Sequence, residues 1–145
     1  MTNNMPKFNK HPCPGDSITW RNGGFTLTAR VEFDDVTKPG ELDCYSEEDI
    51  EGWKNGDWCY VGIVVTVEYK GWLLEDPAAS LWGLECGLTE DSGDYLSDFA
   101  AELFAEAFQV AKVAVNTLKA KLLARIMDPD VELAKLRTIT NTEEN

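Results

Sequence analysis

His11 is the single histidine of this 145-residue chain, and it bounds the catalysis the sequence can support. Triads that activate a serine or cysteine need a base held against the nucleophile, usually a histidine. Here that base stands in His11-Pro12-Cys13-Pro14, inside an Asn-, Lys- and Pro-rich stretch expected to form an irregular, mobile arm over residues 1–16. Cys13, Cys44, Cys59 and Cys86 contain no C-x-x-C pair. Structural zinc sites normally show close ligand pairs, and only His11 with Cys13 comes near that spacing. The expected state is free thiols, some of them buried, with no metal and no cofactor. Gly23-Gly24 is not a phosphate-binding pattern. The 26 acids offer many carboxylate pairs for hydrolysis, yet no spacing singles one out. No catalytic residue is assigned, and the chain reads as a binding protein rather than an enzyme.

Charge is the stronger functional feature. The net charge is −13, from 13 bases and 26 acids, and it is unevenly spread. Residues 31–57 carry ten acids against Lys38 and Lys54, and residues 75–106 carry nine acids and no base. Residues 1–30 and 107–137 are each about +3. Such a surface is unsuited to nucleic acid or an anionic membrane. The candidate interaction residues are therefore carboxylates: Asp34, Asp35, Glu47, Glu48, Asp49 and Glu51 in one block, and Glu90, Asp91, Asp94, Asp98, Glu102 and Glu106 in the other. Adjacent strips of this kind would present negative charge to a nucleic-acid-binding cleft and steer association. The aromatic set Trp53, Trp58, Tyr60, Trp72 and Trp82 lacks the basic neighbours of a nucleic-acid stacking platform and is expected to pack in the core, with one or two rings at an interface.

The elements that must hold these residues follow from periodicity. Asn22-Gly23-Gly24 between two alternating runs is a hairpin signal. After it, Phe25, Leu27, Ala29, Val31 and Phe33 alternate with Thr26, Thr28, Arg30, Glu32 and Asp34, one apolar face and one wet face. Ser46 reads as the N-cap of a short acidic helix ending near Asn55-Gly56, with Ile50 and Trp53 as its buried side. The run from Trp58 to Tyr69 is apolar on both faces until Glu68, so both are expected to be covered. Lys70-Gly71 turns the chain, and Asp76-Pro77 is expected to delay the next strand to Ala79–Cys86. Gly83 there suggests a bulge or close backbone approach.

A long helical pattern runs from Asp94 to Met127. Thirty-odd residues at 1.5 Å each give roughly 50 Å, more than the roughly 40 Å diameter of a compact domain of this size. Either the helix bends or its apolar C-terminal half needs a partner. In the second case Val110, Val113, Leu118, Leu122 and Ile126 would meet a second copy in a symmetric dimer. Asp128-Pro129 restarts a short helix to Arg137.

The segments Trp58-x-Tyr60-Val61-Gly62-Ile63-Val64-Val65-x-Val67, Ala79-Ser80-Leu81-Trp82-Gly83-Leu84-Glu85 and Asp94-Tyr95-Leu96 resemble uncharacterised small proteins of phages and other mobile elements. These share a W-x-Y-V-G-V strand, an A-S-L-W-G-I-E segment and a Tyr before the last helix. The likeness covers about residues 50–100 and implies a mobile-element setting; it carries no site residue with it.

The expected fold is α+β: an antiparallel sheet of about four strands, a short inserted helix, and a long C-terminal helix packed on one face. Residues 17–137 form one domain between the arm and a polar tail, 138–145. The expected function is a small acidic phage accessory protein, an anti-CRISPR or anti-restriction inhibitor that binds and blocks a host protein, a nucleic-acid-binding defence factor, by occlusion or nucleic-acid mimicry. Without a signal sequence or membrane span it would act in the host cytoplasm. The alternatives are a homo-oligomeric assembly protein and, third, a carboxylate-dependent hydrolase.

Overall fold

A computed structural model describes residues 5–40 and 44–127. The short helix expected after Asp128 and the polar tail lie outside the described residues. The chain divides into two compact units, residues 1–109 and 110–145.

In the first unit, Gly23 and Gly24 have φ of 57° and 88°, the left-handed pair a two-residue type I′ turn requires. They join β1 (Ser17–Asn22) to β2 (Phe25–Phe33). Lys70 and Gly71, at 50° and 86°, make the same turn between β3 (Cys59–Tyr69) and β4 (Trp72–Cys86). The result is one antiparallel sheet in the order β1-β2-β3-β4. Between β2 and β3 lies α1 (Glu47–Asn55). Ser46 and Asp49 close a reciprocal capping box at its start, and Gly56, at φ 82°, ends it. The last element is α2 (Ser92–Ile126).

Residues directly opposed in an antiparallel pair project to the same side. Leu27 with Val67, Ala29 with Val65, and Val31 with Ile63 therefore share one face, and all six are fully buried. The first half of α2 covers that face with Leu96, Ala100, Phe104 and Ala107. Its aromatic rings fix the contact. Phe104 lies 5.9 Å from Trp20, and Phe108 lies 5.4 Å from both Trp20 and Phe25. Each larger side chain buried here contributes about 1.5–3 kcal/mol, so this seam dominates the stability of the unit.

The other face of β3 is covered over its first half only. Tyr60 and Val64 are buried, and the Trp82 ring lies so close over Gly62 that any Cβ there would overlap it. Thr66 is half-buried and Glu68 exposed. Side chains supply this cover: Trp82 folds over from β4, and Tyr45 accepts a 2.9 Å hydrogen bond from the Tyr60 hydroxyl.

Two further expectations change. The last strand starts at Trp72 rather than Ala79. Pro77 is accommodated because Val67 pairs with Glu75 while Val65 pairs with Ala79, so the strand bulges around it on a sheet edge, where proline costs no ladder bond. The arm is irregular in path but fastened. Phe8 is buried and its N–H donates to Ser97 Oγ at 2.8 Å; Gly93 N–H donates to the Lys10 carbonyl at 3.1 Å; Gly15 N–H donates to the Val31 carbonyl at 2.7 Å. A Cβ on Gly93 would overlap the Asn9 carbonyl, so only glycine lets the arm approach α2 this closely. Of the aromatic set, Trp58 and Tyr60 are buried and Trp53 half-buried, while Trp72 and Trp82, both on the edge strand β4, are exposed.

In the second unit, α2 continues from Val110 to Ile126 without a break. No helix among the described residues is long and apolar enough to cross a membrane.

Gly93→Ala is expected to cost about 1–3 kcal/mol through overpacking against backbone that cannot swing aside. Urea denaturation measures it. Stability within about 0.5 kcal/mol of the native chain would show that the arm is not tightly fixed there.

Candidate interaction surface

The helix brings one acidic block together. Asp94, Asp98, Glu102 and Glu106 recur every four residues, all exposed, while Leu96, Ala100, Leu103, Phe104 and Ala107 take the buried stripe. Four residues advance the helix by about 6 Å, so the row is about 18 Å long. Glu90 and Asp91 precede it, also exposed, and the Asp91 carbonyl accepts from Tyr95 N–H at 3.1 Å in the first turn. Acids at this end are favoured by the helix dipole.

The other block is divided by the fold. Glu47, Glu48 and Glu51 are exposed on α1, and Asp35 is exposed in the loop after β2. Asp49 is half-buried and occupied in the capping box, accepting from Ser46 N–H. Asp34 is turned inward rather than displayed. It is 7 % exposed and accepts from Thr37 Oγ1 at 2.6 Å and from the Val36, Thr37 and Gly83 amides at 3.0 Å each. Its carboxylate staples the loop after β2 to the bulge at Gly83, which has φ 77°. Hydrogen bonds from the Thr37 hydroxyl and then its amide hold the acid below its ordinary pKa.

Glu85, which the sequence did not single out, collects tyrosines. It accepts from Tyr45 Oη, which in turn accepts from Tyr60. Burial, then the Glu85 bond, drives the Tyr45 phenol well above its usual range; burial and the Glu85 charge also raise Tyr95. Tyr45 is thus a neutral donor to the Glu85 carboxylate, with Tyr60 donating to Tyr45 behind it. Their signal in the sequence was absent, because Tyr45 and Glu85 are 40 residues apart.

A hydrolase would need carboxylates converging in a closed pocket. The larger of two described cavities, about 560 Å³, has Met5, Pro6 and Lys7 on one side and Ser97, Asp98 and Glu102 on the other. Its two acids stand a turn apart on one helix. The smaller, about 400 Å³, is lined by Phe33, Trp53, Lys54, Gly56, Trp58 and Cys59, with no carboxylate. Among the described residues no group of three potential metal ligands converges on an ion site, His11 and Cys13 included.

The candidate dimer residues are exposed: Val110 62 %, Val113 61 %, Leu118 57 %, Leu122 51 % and Ile126 72 %. Leu118, Leu122 and Ile126 recur four apart and so share one face of this part of the helix. No family model, curated protein or solved structure matches the chain.

Asp34→Ala is expected to destabilise the fold by about 2 kcal/mol, since it strands four donors of a charged acceptor. The stabilisation from Asp34 is full above its ordinary pKa of 3.8 and is lost as pH falls through the lower folded value. Acid denaturation of the native chain and the variant should therefore converge at the lowest pH. A constant gap across the acid range would contradict this.

Proposed function

We propose that this chain is a small acidic accessory protein of a phage or other mobile element that binds and inhibits a host protein, a nucleic-acid-binding factor of a defence system. The observation that carries the reading is the unbroken row Asp94, Asp98, Glu102 and Glu106, exposed on a helix whose opposite side is anchored in the core. A rigid row needs no ordering on contact, so its charge acts in steering and docking rather than being dissipated in side-chain search. The exposed acids of α1 supply a second charged element. Inhibition is by occlusion of a basic surface, with no chemistry. The resemblance of residues 50–100 to mobile-element proteins points to the same setting.

The test combines protection with charge reversal. Expressed in bacteria carrying a restriction or CRISPR system, the protein should restore phage plating and co-purify with one component of that system. Asp98→Lys with Glu102→Lys and Glu106→Lys should abolish protection and slow association by at least about tenfold at low salt, the gap narrowing at high salt. Protection unchanged by the triple variant, or absence of both protection and a bound component, would sink the proposal.

A homo-oligomeric reading has its own observation, the exposed continuation Leu118, Leu122 and Ile126. It predicts a dimer by light scattering that Leu118→Glu with Leu122→Glu converts to monomer without loss of helix content. A native chain that is monomeric at high micromolar concentration would end this reading.

A further inference from the structure

Three cysteines that the sequence scatters are gathered at one end of the β3–β4 ladder. Cys59 and Cys86 are directly opposed partners in the antiparallel register. Opposed residues have Cα atoms about 4.5 or 5.5 Å apart, inside the roughly 4.4–6.8 Å span a disulfide bridges. Their side chains leave the same side of the sheet. The Cys86 thiol donates to the Pro12 carbonyl at 3.2 Å, which sets the neighbouring residue, the exposed Cys13, beside the pair. The fastened arm thus delivers a solvent-facing thiol to an otherwise shielded dithiol. Cys59 is itself half-buried and forms part of the wall of the 400 Å³ cavity. Cys44, the fourth thiol, is exposed.

We propose that Cys59 and Cys86 are a redox dithiol, oxidised to a cross-strand disulfide by low-molecular-weight disulfides, with Cys13 as the entry thiol. The Cys13 thiolate attacks one sulfur of the small disulfide, forming a mixed disulfide and expelling one small thiolate. Cys59 then attacks the Cys13 sulfur and expels the second. Cys86 attacks the Cys59 sulfur, the Cys59–Cys86 bond forms, and Cys13 leaves as thiolate. Each attacking thiol gives up its proton and each leaving thiolate takes one. The balance is two protein thiols oxidised and one small disulfide reduced to two thiols. The division of labour follows from surroundings. Burial raises the Cys59 thiol, and burial with the neighbouring thiolates raises Cys86 to about 11, so direct attack by either on an outside oxidant is slow.

The test uses the reduced full chain with oxidised glutathione, alkylation of residual thiols, and peptide mass mapping without reduction. The expected product is a monomer lighter by two hydrogens, with a linked Cys59–Cys86 peptide and Cys13 free for alkylation. Cys13→Ser should slow formation of that link by roughly tenfold, and Cys44→Ser should leave its rate unchanged. Reduction should restore the starting mass. Cys59 and Cys86 both remaining alkylatable while Cys13 and Cys44 carry glutathione would overturn the proposal, as would a link formed between chains. An unchanged rate in Cys13→Ser would remove the entry role. Because the mapping is done on the native chain, misfolding of a variant cannot mask the first result.

Discussion

Strand β3 is closed to water on both edges over its length and on both faces over its first half. Its backbone polar groups have no solvent to turn to, so each must be met by β2 or β4. Val61, Ile63, Val65 and Val67 are fully buried on one side, and Tyr60 and Val64 are buried on the other. A slip of one residue would exchange the two sets. Gly62 would then leave its position under Trp82, where no other side chain fits. Register is thereby fixed at three strands together, and with it the opposition of Cys59 to Cys86 and the reach of Asp34 to Gly83.

Helix α2 meets this sheet with one side and leaves the rest of its surface for other uses. Its acidic row places like charges four residues apart three times, each pair costing about 0.2–0.5 kcal/mol. The total, roughly 1 kcal/mol, is smaller than the gain from burying Leu96 or Phe104 alone. The fold can therefore sustain a concentrated negative row at small cost. In the second unit only Ala111 and Val115 are buried among the described residues, while Leu118, Leu122 and Ile126 stay half or more exposed, so helix formation there draws less on burial and more on the good propensities of Ala, Leu and Lys.

What was legible in the sequence was local. Gly23-Gly24 and Lys70-Gly71 specify type I′ hairpins, Ser46 and Gly56 bound α1, and the apolar period sets α2, because each signal lies within a few residues of its effect. What was not legible needed distant partners. Pro77 read as a break because its bulge depends on the pairing of Val65 with Ala79. Residues 5–16 read as mobile because nothing in their composition reveals that Gly93 leaves room for Asn9. Asp34 read as a surface acid because only the approach of Gly83 turns its carboxylate inward. The thiols read as unrelated because register, not spacing, unites them.

Charge density bears on how such a row would work. One DNA strand carries a phosphate about every 3.4 Å of axis, and the duplex one about every 1.7 Å. The row on α2 carries a carboxylate about every 6 Å, a little over half the density of a single strand. A surface that neutralises the four acids would release about as many counterions, so its salt dependence would be shallow beside that of a protein gripping roughly six to ten phosphates. Imitation of a whole duplex asks more of the row than its spacing supplies. Covering a basic groove asks less: complementary sign, an anchored helix and an apolar neighbour such as Tyr95, which is exposed beside Asp94. For the proposed inhibitor, charge density therefore fits occlusion better than duplex mimicry, and in such a complex the carboxylates would set approach and the apolar contacts its lifetime.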